Sequence, residues 1–337
     1  MKINRQELIK ALEIVKPALA NKEMIEQSTS FAFMDGRVVT YNDEISISHP
    51  VTDLSIDGAV KAGKLYGYLN KVKKDEIEFV ITDSEIRMTV GKSKAGLVLQ
   101  AEVKLPLDEI GKMGKWQKLP EGLIEAIKFC VFSCSNDMSK PVLTCIHVRK
   151  DTSQAESSNN RRATFHKFDG ILPGSSFLIP SHSAVELCKL PATHIAQGSG
   201  WVHFKTAEDT IFSCRIFQDD FPEMKHLFKV EGKELKLPKT LGDILDKAGV
   251  FSSKEHFLDD RVEISLADNK IKIRVEQDSD WFQEDANIRY SGEPISFQIH
   301  TAFLKEICQQ GKCILGENML KFQGDNWEHI LALSAGK

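Results

Sequence analysis

The sequence predicts an α+β fold made of three tandem domains of one architecture, each with two helices packed on β-sheets. The first observation behind this prediction is the length of 337 residues, which exceeds one ordinary domain of about 100–200 residues. The second is a helical apolar pattern that recurs three times along the chain, with alternating strand patterns between its copies.

Leucines at equivalent positions mark the first helix of each copy. Leu8, Leu123 and Leu241 are 115 and 118 residues apart, and a Leu-Pro pair precedes the second and the third copy. Proline suits the first turn of a helix, where its missing N–H costs no hydrogen bond. These segments therefore predict three equivalent helix starts.

A second helix is predicted in each copy, over residues 62–72, 180–190 and 300–310. Alternating apolar residues predict strands around these helices: 30–34, 37–41, 76–82, 85–90, 96–104, 142–149, 201–205, 210–218, 262–267, 270–276, 312–315, 319–323 and 329–334. The predicted domains are residues 1–114, 115–228 and 229–337.

The composition is that of an ordinary globular protein. Apolar residues make up 42% and charged residues 27%, and no apolar run reaches the roughly 18 residues that a membrane-spanning helix needs. The first residues carry no signal-peptide pattern, and the seven cysteines lack framework spacing. We therefore expect reduced thiols, a cytoplasmic location and no membrane partner.

No sequence pattern points to catalysis. Gly91-Lys92-Ser93 resembles the end of a phosphate-binding loop, but Ile86 stands where that loop requires glycine. Cys130 and Cys134 lack the matching histidines of a zinc site, so buried thiols are the better interpretation. The sequence predicts no catalytic residue, no metal and no cofactor; an enzyme acting on nucleic acid remains an alternative.

Positive charge collects on the predicted helices, although the formal net charge is 44 − 48 = −4. Residues 60–74 contain five lysines and no acidic residue. For any single lysine, a solvated helix face is the simpler interpretation. Because the bias recurs in a repeated chain, it also predicts a positive surface that contacts the phosphates of a polyanion without reading its sequence.

Five segments resemble, in order and spacing, the bacterial-type DNA polymerase sliding clamp, the DNA polymerase III β subunit. Residues 1–23 resemble its first helix, and 140–144 (KPVLT) resemble the R-P-I-L-[TN] strand of its second domain. Residues 159–163 (NNRRA) stand where clamps carry T-D-G-H-R-L-A. Residues 221–225 (FPEMK) are similar to F-P-D-Y-[RK], and 290–295 (YSGEPI) to Y-x-G-E-P-L. The chain therefore resembles a divergent member of this family.

The resemblance implies a ring-forming DNA clamp fold. Two subunits would close head to tail as a homodimer around double-stranded DNA and tether a DNA polymerase. A clamp loader and other proteins with clamp-binding motifs would be further partners. A monomeric clamp-like adaptor that has lost ring closure is the alternative.

By position in the family, the third domain of one subunit is expected to meet the first domain of the other. Val250 and Phe251 would face Ala95 and Leu97, whereas a position of Phe251 inside a core is the competing interpretation. DNA is expected to pass six lysines: Lys22, Lys64, Lys71, Lys140, Lys247 and Lys305.

The resemblance also implies a groove between the second and third domains for client peptides of the Q-L-x-L-F kind. Its expected residues are Leu143, Ser158, Asn160, Arg162, Ala163, Pro222, His226, Leu227, Phe257, Phe303, Ile330, Leu331, Ala332 and Leu333. Ala163 and Ala332 replace a leucine and a methionine of the family, so we expect a roomier cleft. Asn160 and Arg161 replace the glycine and histidine of D-G-H-R. Cutting the chain after Asn326 is expected to abolish peptide binding while DNA encirclement persists.

Overall fold

The computed structural model describes residues 1–51, 54–252 and 260–335. Its α-helices are α1 (Arg5–Val15), α2 (Ala62–Lys71), α3 (Leu123–Cys130), α4 (Ser181–Leu187), α5 (Leu241–Phe251) and α6 (Thr301–Ile307). Short 3-10 helices cover Lys16–Ala18, Leu107–Ile110, Val131–Ser133 and Pro141–Thr144. Each α-helix overlaps a helix that the sequence predicts.

The strands of the first half are β1 (Lys2–Asn4), β2 (Ser30–Met34), β3 (Arg37–Tyr41), β4 (Ile45–Pro50), β5 (Gly58–Lys61), β6 (Glu76–Ile81), β7 (Glu85–Val90), β8 (Ser93–Val98), β9 (Gln117–Lys118), β10 (Cys145–Arg149), β11 (Gln154–Ser158) and β12 (Arg162–Lys167). Those of the second half are β13 (Phe177–Pro180), β14 (Ala192–Gln197), β15 (Trp201–Thr206), β16 (Ile211–Arg215), β17 (Lys233–Leu235), β18 (Arg261–Ala267), β19 (Lys270–Gln277), β20 (Asp280–Asn287), β21 (Ile295–His300), β22 (Lys312–Leu315), β23 (Met319–Gln323), β24 (Trp327–Ala332) and β25 (Ser334–Ala335).

The threefold repeat of the sequence is present in the buried faces of three helices. These faces consist of Leu8, Ala11, Leu12 and Val15 in α1, Leu123, Ala126, Ile127 and Cys130 in α3, and Leu241, Ile244, Leu245 and Ala248 in α5. Each set follows the spacing i, i+3, i+4, i+7, which places its members on one side of a helix. The helical repeat that the leucine spacing predicted is therefore confirmed.

The described chain forms two compact units. The first contains Met1–Lys128, Val148–Asp151 and Asp169–Asp219, and the second contains Phe129–His147, Thr152–Phe168 and Asp220–Lys337. Residues of the predicted middle domain therefore contribute to both units. The boundaries after residues 114 and 228 stay predictions.

Two antiparallel sheets organise the first unit. One has the strand order β1-β6-β7-β8, and the other β5-β2-β3-β4-β16-β15-β14-β9. In the second of these, β4 pairs with β16, with Ile47 opposite Phe212 and both side chains 1% exposed. Strand β8 is left at the edge of the smaller sheet.

The second unit is built in the same way. Strands β11-β12-β24-β23-β22-β17 lie side by side, and a separate sheet has the order β20-β19-β18-β21-β25. Strand β12 pairs with β24, with Ala163 opposite Ile330. This pairing joins a segment of the predicted middle domain to the last segment of the chain.

Some predicted strands are wrong in their bounds. Strand β10 begins only at Cys145, because Pro141–Thr144 forms a 3-10 turn in which the Thr144 hydroxyl donates to the Pro141 carbonyl at 2.7 Å. The family-like 140–144 segment is therefore a turn that leads into a strand. Strand β8 covers Ser93–Val98 instead of 96–104, and several strands, β12 and β20 among them, lie outside the predicted ranges.

Candidate functional site

A cavity of about 300 Å³, here called the client groove, lies in the second unit beside the β12–β24 pair. It is lined by Ser158, Asn160, Arg161, Arg162, Ala163, Pro222, Glu223, Met224, His226, Leu227, Met319, Ile330 and Ala332. Nine of these residues belong to the set that the family resemblance implies, so the structure brings them together. That the groove binds a peptide stays a prediction.

The floor of the client groove is a small apolar core. Ala163, Met224, Phe228 and Ile330 are each at most 6% exposed and form one cluster, against which Leu227 and Met319 pack. The amine of Lys321 is buried nearby, where it donates to the carbonyl of Phe228 at 2.9 Å and pairs with Glu328 at 2.9 Å. Segment 224–228 is thus held against the sheet.

The rim of the groove is a tight turn before β12. Asn160 has a φ of 67°, a left-handed conformation that asparagine tolerates better than most residues. The Asn159 side-chain oxygen accepts the N–H groups of Arg161 at 3.1 Å and Arg162 at 3.0 Å. The Ser158 hydroxyl donates to the Arg162 carbonyl at 2.8 Å. The turn is therefore fixed by its own side chains.

The Arg162 side chain lines the groove, but it is packed and not open to solvent. Its guanidinium lies 3.9 Å from the centre of the Phe303 ring and 5.2 Å from that of Phe132. It pairs with Glu306 and donates to the carbonyl of Phe132. Burial lowers the pKa of Arg162, and the carboxylate of Glu306 opposes this shift. The arginine is thus a packed, charge-matched residue.

A larger cavity of about 700 Å³ lies on the Phe303 side of Arg162. Leu143 and Phe303, two further residues of the expected set, line this second cavity together with Lys140. Leu331 lines a notch of about 30 Å³, and Leu333 packs on the core of the unit. Phe257 lies outside the described residues.

The position of strand β24 changes the expected result for a truncated chain. Strand β24 lies between β12 and β23 in the sheet, and its His329, Ile330 and Leu331 are at most 4% exposed. Cutting after Asn326 would remove this central strand and its core side chains. Unfolding of the unit is then the expected result, because lost burial of each large apolar side chain costs roughly 1.5–3 kcal/mol.

The six lysines expected to contact DNA are all exposed. Lys64 and Lys71 lie on α2, whereas Lys22 and Lys140 lie in bends outside the helices. Lys247 on α5 pairs with Glu284 at 2.8 Å, and Lys305 on α6 pairs with Asp246. Exposed pairs of this kind contribute only about 0–1 kcal/mol, but they reduce the net positive charge of α5 and α6.

The residues expected at the subunit interface lie at two sheet edges. Ala95 and Leu97 are half-buried on the edge strand β8, in the first unit. Val250 and Phe251 end α5 in the second unit and are 72% and 37% exposed. The ring of Phe251 stacks on Phe282 of the edge strand β20, with 5.8 Å between ring centres. Phe251 is therefore a partly exposed residue beside that edge.

The described residues show no candidate metal site formed by three or more His, Cys, Asp or Glu side chains. Six of the seven cysteines are buried, and all seven are free thiols. Burial raises the pKa of the Cys134 and Cys313 thiols to about 12. Of the helices described, none has both the length and the apolar character needed to cross a membrane.

These sheets, paired helices and repeated domains define the sliding-clamp fold. No protein-family model and no curated protein matches the sequence. Among solved structures, the DNA polymerase III β subunit of Pseudomonas aeruginosa superposes with a TM-score of 0.84 at 16% identity, over 100% of both chains. A Bartonella birtlesii sliding clamp bound to griselimycin gives 0.84 at 16% identity, over 100% of this chain and 99% of that one.

The β subunit of Streptococcus pyogenes DNA polymerase is similar to the same degree. Its TM-score is 0.82 at 17% identity, over 99% of each chain. At these identities the likeness establishes the fold. The chain therefore has the fold of the DNA polymerase III β subunit along its whole length.

Proposed function

We propose that this protein is a DNA sliding clamp. Two copies close head to tail into a ring around double-stranded DNA, and the ring tethers a DNA polymerase and other clients through the client groove. The protein itself performs no catalysis and uses no cofactor. The observation that carries this proposal is the likeness to sliding clamps over the full length of the chain.

The charges of the two sheet edges support a head-to-tail contact. Strand β8 carries the exposed Lys94, and Lys92 precedes it, whereas β20 carries the exposed Asp280 and Asp285. A basic edge and an acidic edge on one chain favour pairing between two copies. Since the two surfaces differ, the contact is heterologous, and two such contacts close a ring of two subunits.

Exposed apolar side chains at these edges also favour burial in an interface. Val98 on β8 is 76% exposed, Trp281 on β20 is 60% exposed, and Val250 at the end of α5 is 72% exposed. Edge strands with unprotected apolar residues tend to pair with another chain. A second copy of this chain would cover them.

The client groove supports the tethering role. Its apolar floor of Ala163, Ile330 and Met224 suits the leucine and aromatic anchors of a short peptide, and its polar turn suits the peptide backbone. We expect a cognate peptide to bind with micromolar affinity, which corresponds to about −8 kcal/mol.

A comparison of circular and linear DNA tests the proposal. Dilute protein is mixed with nicked circular plasmid and then concentrated, so that rings close around the DNA, and the mixture is filtered at high salt. A closed ring stays on the circle because its link is topological, whereas phosphate contacts are screened. Cutting the plasmid once should release the protein.

The three possible outcomes support three different functions. Retention on circles and loss on linear DNA supports a sliding ring. Equal, salt-sensitive binding to both forms would favour the monomeric adaptor. Cleavage or modification of the DNA during the incubation would favour an enzyme.

A further inference from the structure

Arg161 lies where three cavities of the second unit meet. It lines the client groove, the neighbouring cavity of about 700 Å³ and the notch of about 30 Å³. We propose that Arg161 binds a carboxylate of the docked client and so selects acidic peptides. This inference rests on the proposed peptide-binding function of the groove.

The backbone of Arg161 is fixed from both sides. Its N–H donates to the Asn159 side chain at 3.1 Å, and its carbonyl accepts the N–H of Ala332 at 2.8 Å. The Cα atom is therefore held at the junction of the turn and β24. Because this backbone is ordered before a ligand arrives, binding does not have to pay for ordering the turn.

Arg161 and Arg162 differ in whether a carboxylate neutralises their charge. Arg162 pairs with Glu306, whereas within the described residues Arg161 has no carboxylate at ion-pair distance. Arg161 is also less buried than Arg162. Its guanidinium is thus available to an incoming carboxylate, with which it can form a bidentate, charge-assisted pair.

The described lining of the notch brings no negative charge to the side of Arg161. Arg261 lines it with Arg161, Gln298 and Ser334, and an Nη atom of Arg261 donates to the Ser334 hydroxyl at 3.2 Å. No acidic side chain belongs to the described lining of the notch. The described lining of the client groove contains one acidic residue, Glu223, which belongs to a different segment from Arg161.

This preference is a property of this chain. Where the D-G-H-R stretch of sliding clamps has histidine, this chain has arginine at position 161. An arginine keeps its charge at neutral pH, whereas histidine is mostly neutral there. The replacement converts a site of variable charge into one that is always positive.

Matched peptides test the inference. Labelled peptides on the scaffold Q-L-S-L-F carry one extra Asp, or one extra Asn, before, within or after the scaffold, and their affinities are measured by fluorescence anisotropy. With the wild-type protein we expect at least one Asp peptide to bind about tenfold more tightly than its Asn partner. Arg161→Gln should remove this preference, and Arg161→Lys should keep part of it.

The control variant is Arg87→Gln, which removes an exposed arginine of β7 in the first unit. It should leave all affinities unchanged. Equal binding of every Asp and Asn pair to the wild type, or a preference that survives Arg161→Gln, would overturn the inference and leave the groove intact. If none of the peptides binds, the proposed function of the groove fails as well.

Discussion

Ala163 of β12 lies opposite Ile330 of β24, although the two residues are far apart in sequence. Both are nearly fully buried, and together they form the floor of the client groove. The groove therefore exists only when the end of the chain is built into the sheet. For this reason its function is best tested with point substitutions at the rim rather than by truncation.

Leu227→Asp is expected to block the client groove. Leu227 is only partly buried and lines the cavity, so a charge there should meet the apolar anchor of a peptide without disrupting a core. Peptide affinity should fall at least about tenfold, because roughly 1.4 kcal/mol or more of apolar contact is lost. Fluorescence anisotropy measures this. Ile171→Asp, at a 77% exposed position in the first unit, should bind peptide normally.

Phe251→Arg is expected to give a folded monomer. The side chain is 37% exposed and stacks on Phe282 beside the acidic edge strand, so a charge there should cost far more in the dimer than in the free subunit. Light scattering gives the mass, and circular dichroism reports folding. Val185→Arg is a matched control, since Val185 is 38% exposed on α4. An unchanged dimer would place the interface elsewhere, and if Phe251→Arg unfolds, Val250→Arg repeats the test.

Replacing Lys22, Lys71 and Lys140 together by alanine should weaken DNA binding at low salt. Each lost phosphate contact also reduces the salt dependence of the affinity by about one unit of slope. Sequence preference should stay absent. The control triple variant replaces Lys2, Lys104 and Lys189, which pair with acids on the surface. If both triple variants bind DNA alike, these three lysines do not mark the DNA-facing surface.

Acid should destabilise the protein through two buried histidines. Burial lowers the pKa of His203 to about 4 and that of His329 to about 3, from an ordinary value of 6.5. Below pH 6.5 these two histidines bind protons in the unfolded chain but stay neutral in the folded chain. Stability is therefore full above this pH and falls as the pH drops toward 4, by up to about 1.4 kcal/mol per pH unit for each histidine.

Urea unfolding at pH 7, 6 and 5 measures this loss. In the double variant His203→Gln and His329→Gln, the fall in stability between pH 7 and pH 5 should be smaller than in the wild type. His194→Gln removes an exposed histidine, and the stability of this variant should fall with pH as that of the wild type does. If the double variant keeps the wild-type pH dependence, the loss of stability in acid does not come from His203 and His329.

Local patterns predicted much of the fold. The apolar spacing around Leu8, Leu123 and Leu241 gave the three first helices because each helix buries one continuous face. Strand β20 escaped prediction because its residues alternate between exposed and half-buried, with no buried apolar member. The apolar residues of Pro141–Thr144 match a family strand and so predict a strand where the chain forms a 3-10 turn.

The site depended on information that no local pattern contains. Its residues were proposed through the family resemblance, and nine of them line one cavity. Strand pairing such as that of β12 with β24 joins distant segments, so spacing alone could not predict it. Arg161 was not in the expected set, although the change from the D-G-H-R pattern at this position was a visible signal.

The mass and shape of the particle in solution test the central claim most directly. Light scattering combined with electron-microscope class averages should show a closed ring with a central hole, at about twice the chain mass of 37.9 kDa. The Phe251→Arg variant should show open arcs of single mass. A wild-type protein that stays a monomeric open arc at micromolar concentration and above would contradict the sliding-clamp account.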